Sequence, residues 1–135
     1  MKISAELRAE VVQRAMFRCE YCLLHENDGA FPHEIDHITS RQHGGETSAD
    51  NLAFACMVCN RYKGSNIASV SSTGDLLPLF NPRESRWEDH FRLNDAVIEP
   101  IDSIGAVTAR VLRLNIAERV VRRSVLQQLR RYPRG

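Results

Sequence analysis

The feature that most constrains the fold of this chain is the placement of its four cysteines. They occur as two pairs with the same spacing, Cys19-x-x-Cys22 and Cys56-x-x-Cys59. Each pair can present two thiolates from a tight turn at the ~2.3 Å distance that tetrahedral zinc requires. The alternative is four buried unpaired thiols, but chance does not readily place every cysteine of a chain in two identical spacings. We therefore predict one structural zinc ion with four sulfur ligands and no open position for water.

Length and composition set further limits. The chain has 135 residues, and only 7% of them are aromatic. This length predicts a single domain over residues 1–135, whose modest core would benefit from a metal ion. No apolar run approaches the ~18 residues of a membrane helix, and the first residues lack the apolar stretch of a secretory signal. We therefore expect a cytoplasmic protein without a membrane partner, in which paired cysteines hold metal rather than form disulfides.

The near-zero net charge conceals a basic C-terminal segment. Residues 110–135 carry eight arginines and one glutamate, whereas residues 19–109 carry six basic and fourteen acidic side chains. The arginines either lie along a phosphate backbone and release counterions or form one solvated face of a helix. The charge run alone is compatible with both interpretations.

Apolar spacing and turn residues predict a mixed α+β chain. A helix over residues 5–18 follows Ser4, a suitable N-cap. A short strand is predicted within residues 31–39, a second extended segment reaches Phe54, and a short helix spans about residues 56–65. The accessory segment that follows, residues 65–135, is predicted to contain a hairpin of residues 91–93 and 96–98, a helix over 103–114, and a helix that begins after Asn115 as N-cap.

Further chemistry-bearing residues lie between and just after the two cysteine pairs. The 33 residues between Cys22 and Cys56 exceed the ~15–20 of a simple zinc ribbon. The segments of interest are Glu34-Ile35-Asp36-His37-Ile38, Gly44-Gly45, Asn51-Leu52 and Cys59-Asn60-x-x-Lys63-Gly64. In this order and spacing, residues 19–64 resemble the HNH (His-Asn-His) endonuclease family, in the zinc-knuckle branch that includes the phage endonuclease VII type of resolvase.

The resemblance implies a zinc-stapled ββα-metal core and a metal-dependent hydrolysis of DNA phosphodiester bonds, which leaves 5′-phosphate and 3′-hydroxyl ends. His37 would be the general base, because an imidazole accepts a water proton near neutral pH. Asp36 and Asn60 would hold one catalytic Mg²⁺ or Mn²⁺, for which their oxygens are suitable ligands. Asn51 would orient the histidine through hydrogen bonds, although it also fits a simple turn-closing role.

Two points about this site stay open in the sequence. Arg41 and Lys63 either contact the substrate phosphates or point into solvent. Adjacent side chains of a strand point to opposite faces, so Asp36 and His37 converge on one phosphate only if the strand bends, twists or ends there.

Two other functions fit the same residues. A non-catalytic zinc-containing module would bind nucleic acid through the arginine-rich segment, which leaves Asp36, His37 and Asn60 without a joint role. An RNA-directed nuclease is the other, because such a site contacts the phosphate backbone and carries little base information. The leading prediction for the partner is duplex or branched DNA.

Overall fold

The computed structural model describes residues 3–134 of the chain. Its helices are α1 (Ala5–Arg14), α2 (Met57–Lys63), α3 (Ser103–Val111) and α4 (Ala117–Gln128). Its strands are β1 (Glu34–His37), β2 (Leu52–Ala55), β3 (Ala68–Val70), β4 (Leu76–Pro78), β5 (Phe91–Asn94) and β6 (Val97–Pro100). Each strand pairs antiparallel with its neighbour in sequence, which gives three two-stranded sheets. The chain is α+β, as the sequence predicts.

The unit of β1, β2 and α2 forms the centre of the fold. All four residues of β2 are buried, because both faces of the strand have apolar neighbours. Leu52 and Phe54 pack with Val11 of α1, whereas Ala53 and Ala55 belong to the apolar cluster that contains the four cysteines. This hairpin with its following helix confirms the predicted ββα-metal core.

Helix α1 begins as predicted and ends earlier than predicted. The Ser4 Oγ accepts a hydrogen bond from the Leu7 N–H at 3.1 Å, which satisfies one of the free amides of the first turn. The helix stops at Arg14 because Met16 and Phe17 adopt positive φ angles of 56° and 61°, which no right-handed helix accommodates. The resulting turn carries the chain to the first cysteine pair.

The accessory segment contains one hairpin that the sequence predicts and one that it does not. Strands β5 and β6 form the predicted hairpin, with Asn94 opposite Val97. Strands β3 and β4 have three residues each and flank the loop 71–75, so they are too short to show an alternating pattern. Helix α3 ends at Val111 rather than residue 114.

The prediction that Asn115 caps the last helix is wrong. Ile116 occupies the N-cap position of α4 and makes no side-chain cap hydrogen bond. The Asn115 side chain instead pairs with the backbone of Ile98, accepting from its N–H at 2.9 Å and donating to its carbonyl at 2.7 Å. An asparagine satisfies either role, and the nearby strand offers it two partners at once.

The accessory segment packs directly onto the cysteine cluster. Val107 and Leu112 are almost completely buried in the same apolar cluster as the cysteines, together with Phe80 and Phe91. This shared core supports our proposal that residues 1–135 form one domain. Across residues 3–134, no helix combines the length and the apolar character needed to cross a membrane.

Candidate functional site

The four cysteine sulfurs form one buried cluster. Their Sγ atoms all lie within 4.8 Å of one another, and those of Cys22 and Cys56 are 3.7 Å apart. A tetrahedral ion with sulfur ligands at about 2.3 Å places its sulfurs about 3.8 Å apart. The backbone N–H of Cys22 donates to the Cys19 sulfur at 3.4 Å, and that of Cys59 donates to the Cys56 sulfur at 3.3 Å. The donor set therefore fits zinc, as the sequence predicts.

One guanidinium group reaches this zinc site from the C-terminal helix. Arg119 of α4 donates to the Cys59 sulfur at 3.0 Å and to the Leu112 carbonyl at 2.9 Å. Burial opposes its charge, but the neighbouring cysteines outweigh burial and raise the pKa of the guanidinium. Four thiolates on a divalent zinc ion leave an excess of negative charge. Arg119 partly balances that charge and ties α4 to the zinc site.

A closed loop follows β1. Asn51 holds it with three hydrogen bonds: its Oδ1 accepts from the Thr39 N–H at 2.9 Å, and its Nδ2 donates to the carbonyls of Thr39 and Glu46, both at 2.8 Å. Gly45 is required inside the loop, since a Cβ there would lie 1.8 Å from the Thr39 carbonyl oxygen. Asn51 thus acts on the histidine at the start of this loop only through the loop backbone.

His37 is the last residue of β1, and its side chain is partly exposed. The Nε2 atom lies 2.9 Å from the Thr47 hydroxyl oxygen, on the far side of the loop that Asn51 closes. The Thr47 contact fixes the orientation of the ring while the ring keeps access to solvent. These are the properties that a proton acceptor for a bound water needs.

Asp36 is buried, although it precedes His37 directly. Its side chain accepts a hydrogen bond from the Tyr21 hydroxyl at 2.7 Å and lies 3.2 Å from the Lys63 ammonium nitrogen. Lys63 is only 2% exposed and also donates to the Ile38 carbonyl at 3.0 Å. The predicted contact between Lys63 and a substrate phosphate is therefore corrected, because protein oxygens enclose the ammonium group.

Burial has the largest effect on the pKa of the Asp36 carboxyl and raises it, while Lys63 and Tyr21 lower it by smaller amounts. The ion pair therefore does not recover the whole cost of removing the carboxylate from water. In such pairs the loss of one partner is far more costly than the loss of both, because an uncompensated charge stays inside the protein.

Replacement of Lys63 by Met tests this ion pair. We expect K63M to lower the free energy of unfolding by about 3–5 kcal/mol, measured by urea denaturation at pH 7. Adding D36N should recover much of this loss, because the neutral amide still accepts the Tyr21 hydroxyl. R61M on the same helix is the matched control, since the Arg61 side chain is 69% exposed. Equal effects of K63M and R61M would contradict the buried ion pair.

Asn60 in α2 pairs with Glu34 and not with Asp36. Its Nδ2 donates to the Glu34 Oε1 at 2.8 Å, and the Glu34 side chain is 35% exposed. Within residues 3–134, no hydrogen bond joins Asp36 to Asn60. Because Lys63 and Tyr21 already occupy the Asp36 carboxylate, the predicted pair of Asp36 and Asn60 does not fit a shared catalytic ion in this arrangement.

The predicted catalytic residues lie on two faces of the β1–β2 hairpin. Asp36 stands opposite Ala53 and His37 opposite Leu52, in a register without a bulge. Ala53 belongs to the cysteine cluster and Leu52 to the cluster that packs on α1. Although β1 ends at His37, its pairing stays regular through this residue, so the alternation of an ordinary strand puts the Asp36 and His37 side chains on opposite faces.

The segment that carries these residues has a counterpart among known families. Residues 19–66 match the family model described as HNH endonuclease. We call residues 19–66 the HNH domain, after the family model that they match. The HNH domain begins at the first zinc cysteine and ends just after α2, so it contains the zinc site, the His37 loop and Asn60. No curated protein and no solved structure gives a significant match to the chain.

Many of the arginines that follow the HNH domain bind other groups of the protein, although five of the eight remain exposed. Six of the eight make hydrogen bonds or ion pairs within the chain: Arg110, Arg119, Arg122, Arg123, Arg131 and Arg134. Three of these converge on Asp28 of the HNH domain, where Arg122 contacts the carbonyl and the other two contact the buried carboxylate. Half of the eight arginines therefore hold the accessory segment to the HNH domain, through Cys59 and Asp28.

Sequence reasoning missed several partners of the HNH site residues. Glu34 had a usable signal, because its spacing of two from Asp36 puts both carboxylates on one face of a strand. The sequence carries no such signal for Tyr21, Thr47 or Arg119. Only the tertiary fold brings these three residues to Asp36, His37 and the cysteines. Arg41 is exposed on a short turn after β1, a position compatible with both interpretations that the sequence left open.

Proposed function

We propose that this protein is an endonuclease that hydrolyses DNA phosphodiester bonds with His37 as the general base. The observation that carries the proposal is the partly exposed imidazole at the end of β1, oriented by the Thr47 hydroxyl in a loop that Asn51 closes. The HNH domain supports a nuclease at the level of the family.

The chemistry assigned to the chain begins with a water molecule beside His37. The imidazole accepts one proton of that water, whose oxygen then attacks the phosphorus in line with the leaving 3′ oxygen. Negative charge grows on the phosphate during this step and needs positive charge nearby. Arg41 is exposed next to the loop and is our proposed phosphate contact. The products are a 5′-phosphate and a 3′-hydroxyl.

Mg²⁺ or Mn²⁺ is the catalytic ion expected for an HNH nuclease, and it would supply further positive charge to the phosphate. Asp36 and Asn60 do not fit as its shared ligands, for the reasons given above. Glu34 and Asn60 are hydrogen-bonded to each other, are both partly exposed and carry oxygen atoms suitable as ligands of such an ion. The chemistry derived for His37 does not depend on where such an ion binds.

Plasmid nicking by the purified protein tests the proposal. We expect supercoiled plasmid to be cut with Mg²⁺ or Mn²⁺ present and to stay intact in EDTA, in a series that also includes Ni²⁺ and Zn²⁺. Zinc content is measured after each treatment, so that loss of the structural ion is not mistaken for loss of a catalytic one. Intact plasmid with every metal, from protein that retains its zinc, would contradict nuclease activity.

The engaged state of Asp36 favours a second candidate, a non-catalytic zinc-containing module that binds nucleic acid. The Asp36 carboxylate is neutralised by Lys63 instead of being open to an ion. This candidate predicts DNA binding that persists in EDTA, without nicking when Mg²⁺ or Mn²⁺ is restored. A comparison of the cleavage of equal amounts of single-stranded RNA and duplex DNA would distinguish an RNA-directed nuclease from the DNA endonuclease and from the non-catalytic module.

A further inference from the structure

A cavity of about 240 Å³ opens beside the end of β1. Its walls include the two residues that follow His37, namely Ile38 and Thr39, together with Lys63 and, from the accessory segment, His90. The Lys63 ammonium donates to the carbonyls of both His37 and Ile38, at 3.3 Å and 3.0 Å. His90 and the two residues that follow His37 therefore border one cavity.

The His90 ring is fixed by the start of α3. Its Nδ1 lies 2.6 Å from the Asp102 Oδ2, and the other Asp102 oxygen accepts the Gly105 N–H at 2.7 Å as the helix N-cap. Gly105 is packed so tightly that a Cβ would lie 2.2 Å from the His90 carbonyl oxygen. The Phe80 ring packs against the imidazole at an interplanar angle of 60°, with centroids 5.6 Å apart. The imidazole therefore has one well-defined orientation.

The second nitrogen of this ring, Nε2, is the one that Asp102 leaves unpaired. Among residues 3–134, no hydrogen bond is made to the His90 Nε2, and this atom is not one of the enclosed polar atoms without a partner. A carboxylate at Nδ1 selects the tautomer and stabilises the imidazolium, so that proton transfer occurs at Nε2. His90 and Asp102 thus have the geometry of an acid–base pair, in a residue that lines the cavity and whose Nε2 is not fully enclosed.

We propose that His90 is the second proton-transfer residue of the hydrolysis and protonates the 3′ oxygen that leaves the phosphorus. This inference rests on the proposed nuclease function. The ligand of the cavity is accordingly the nucleotide on the 3′-oxygen side of the cleaved bond. Asp102 is a positioning residue, because it acts on the substrate only through the His90 ring.

Atoms and protons balance in this step. The water oxygen bonds to phosphorus as His37 takes the water proton, and the bond from phosphorus to the 3′ oxygen breaks with its electron pair on that oxygen. The imidazolium Nε2–H of His90 then gives its proton to the 3′ oxygen. Afterwards His37 loses a proton to solvent and His90 gains one. The two groups act on opposite sides of the phosphorus, as an in-line displacement requires.

The placement of the His37 and His90 imidazoles agrees with their roles as proton acceptor and proton donor. The His37 side chain lies on the Leu52 face of the hairpin, whereas Ile38 packs in the cysteine cluster on the other face, where the cavity opens. A substrate strand that crosses the end of β1 therefore meets His37 on one side and His90 on the other.

The experiment uses a leaving group that needs no proton. The site cleaved by the wild-type protein is mapped on a DNA duplex, and the scissile 3′ oxygen is then replaced by sulfur. A thiol has an ordinary pKa near ~8.5, so the thiolate leaves without general acid help. Single-turnover rates are measured on both duplexes for the wild type, H90N, H37A and H43N. The side-chain amide that H90N introduces can still donate to Asp102, and His43 is an exposed histidine that lines no part of the cavity.

We expect H90N to lose about 10²–10⁴-fold on the oxygen duplex and less than about tenfold on the sulfur duplex. H37A should lose activity on both duplexes, and H43N on neither. Equal losses of H90N on the two duplexes, or no loss on either, would overturn the assignment. Wild-type protein that cuts neither duplex would instead overturn the nuclease function itself. If H90N fails to fold, D102N is measured in the same way, because an asparagine still caps α3. A loss confined to the oxygen duplex would then support the assignment, and an equal loss or no loss on the two duplexes would overturn it.

Discussion

Removal of zinc with a zinc-selective chelator is expected to unfold the protein. Structural zinc sites have binding free energies on the order of 10–16 kcal/mol at neutral pH, which is as large as the whole stability of an ordinary domain, about 5–15 kcal/mol. The cysteines lie in the main apolar cluster, where Leu112 and Phe91 pack around them. Without the ion, four thiols occupy the centre of the fold. Far-UV circular dichroism and thermal melting measure the loss of folded structure after zinc removal.

Two controls define this experiment. Stoichiometric zinc should restore the circular dichroism signal, and Cys59→Ser should show the metal-free behaviour without any chelator. As zinc is removed, the rate of amide hydrogen exchange should rise at an early stage in α4, because Arg119 docks this helix onto the Cys59 sulfur. A chain that is shown by elemental analysis to lack zinc and still melts at the wild-type temperature would contradict a structural role for the ion.

The parts of this fold that the sequence predicts well depend on local signals. The two cysteine pairs predict the zinc site because tetrahedral sulfur ligation leaves few other uses for two identical spacings. Ser4 predicts the start of α1, since an N-cap bonds to an amide only three residues away. The hairpin of β5 and β6 follows from apolar residues on both sides of a two-residue turn.

The parts that it does not predict depend on which distant groups meet. Lys63 has the motif position of a phosphate contact, but Asp36 and two backbone carbonyls surround its ammonium group in the fold. The arginine run carries no information about Asp28, which lies 106 residues before Arg134 and neutralises it. Charge patterns show how much charge a segment has and not where its partners are.

The relation between Asp36 and His37 is an intermediate case. Strand alternation predicts that their side chains separate, and a resemblance to a family with a joint site predicts that they converge. The structure follows the alternation, because β1 pairs with β2 residue by residue up to His37. The sequence defines the alternatives here, and only the register of the hairpin decides between them.

His37→Ala is expected to abolish most cleavage without loss of the fold. General base catalysis contributes about 10²–10⁴-fold to rates of this kind, so nicking should fall by that factor. The side chain is partly exposed, and Thr47 is its one hydrogen-bond partner among the described residues. Zinc content and melting temperature should therefore stay close to wild type. His43→Ala, an exposed histidine on the turn after β1, is the matched control and should cut at the wild-type rate.

The most direct test of a reactive imidazole at the end of β1 is the nicking rate of His37→Ala per zinc-loaded molecule, compared with wild type at saturating metal. We predict a loss of at least about a hundredfold, with one zinc ion retained per chain. Wild-type cleavage by the His37→Ala protein would contradict the account.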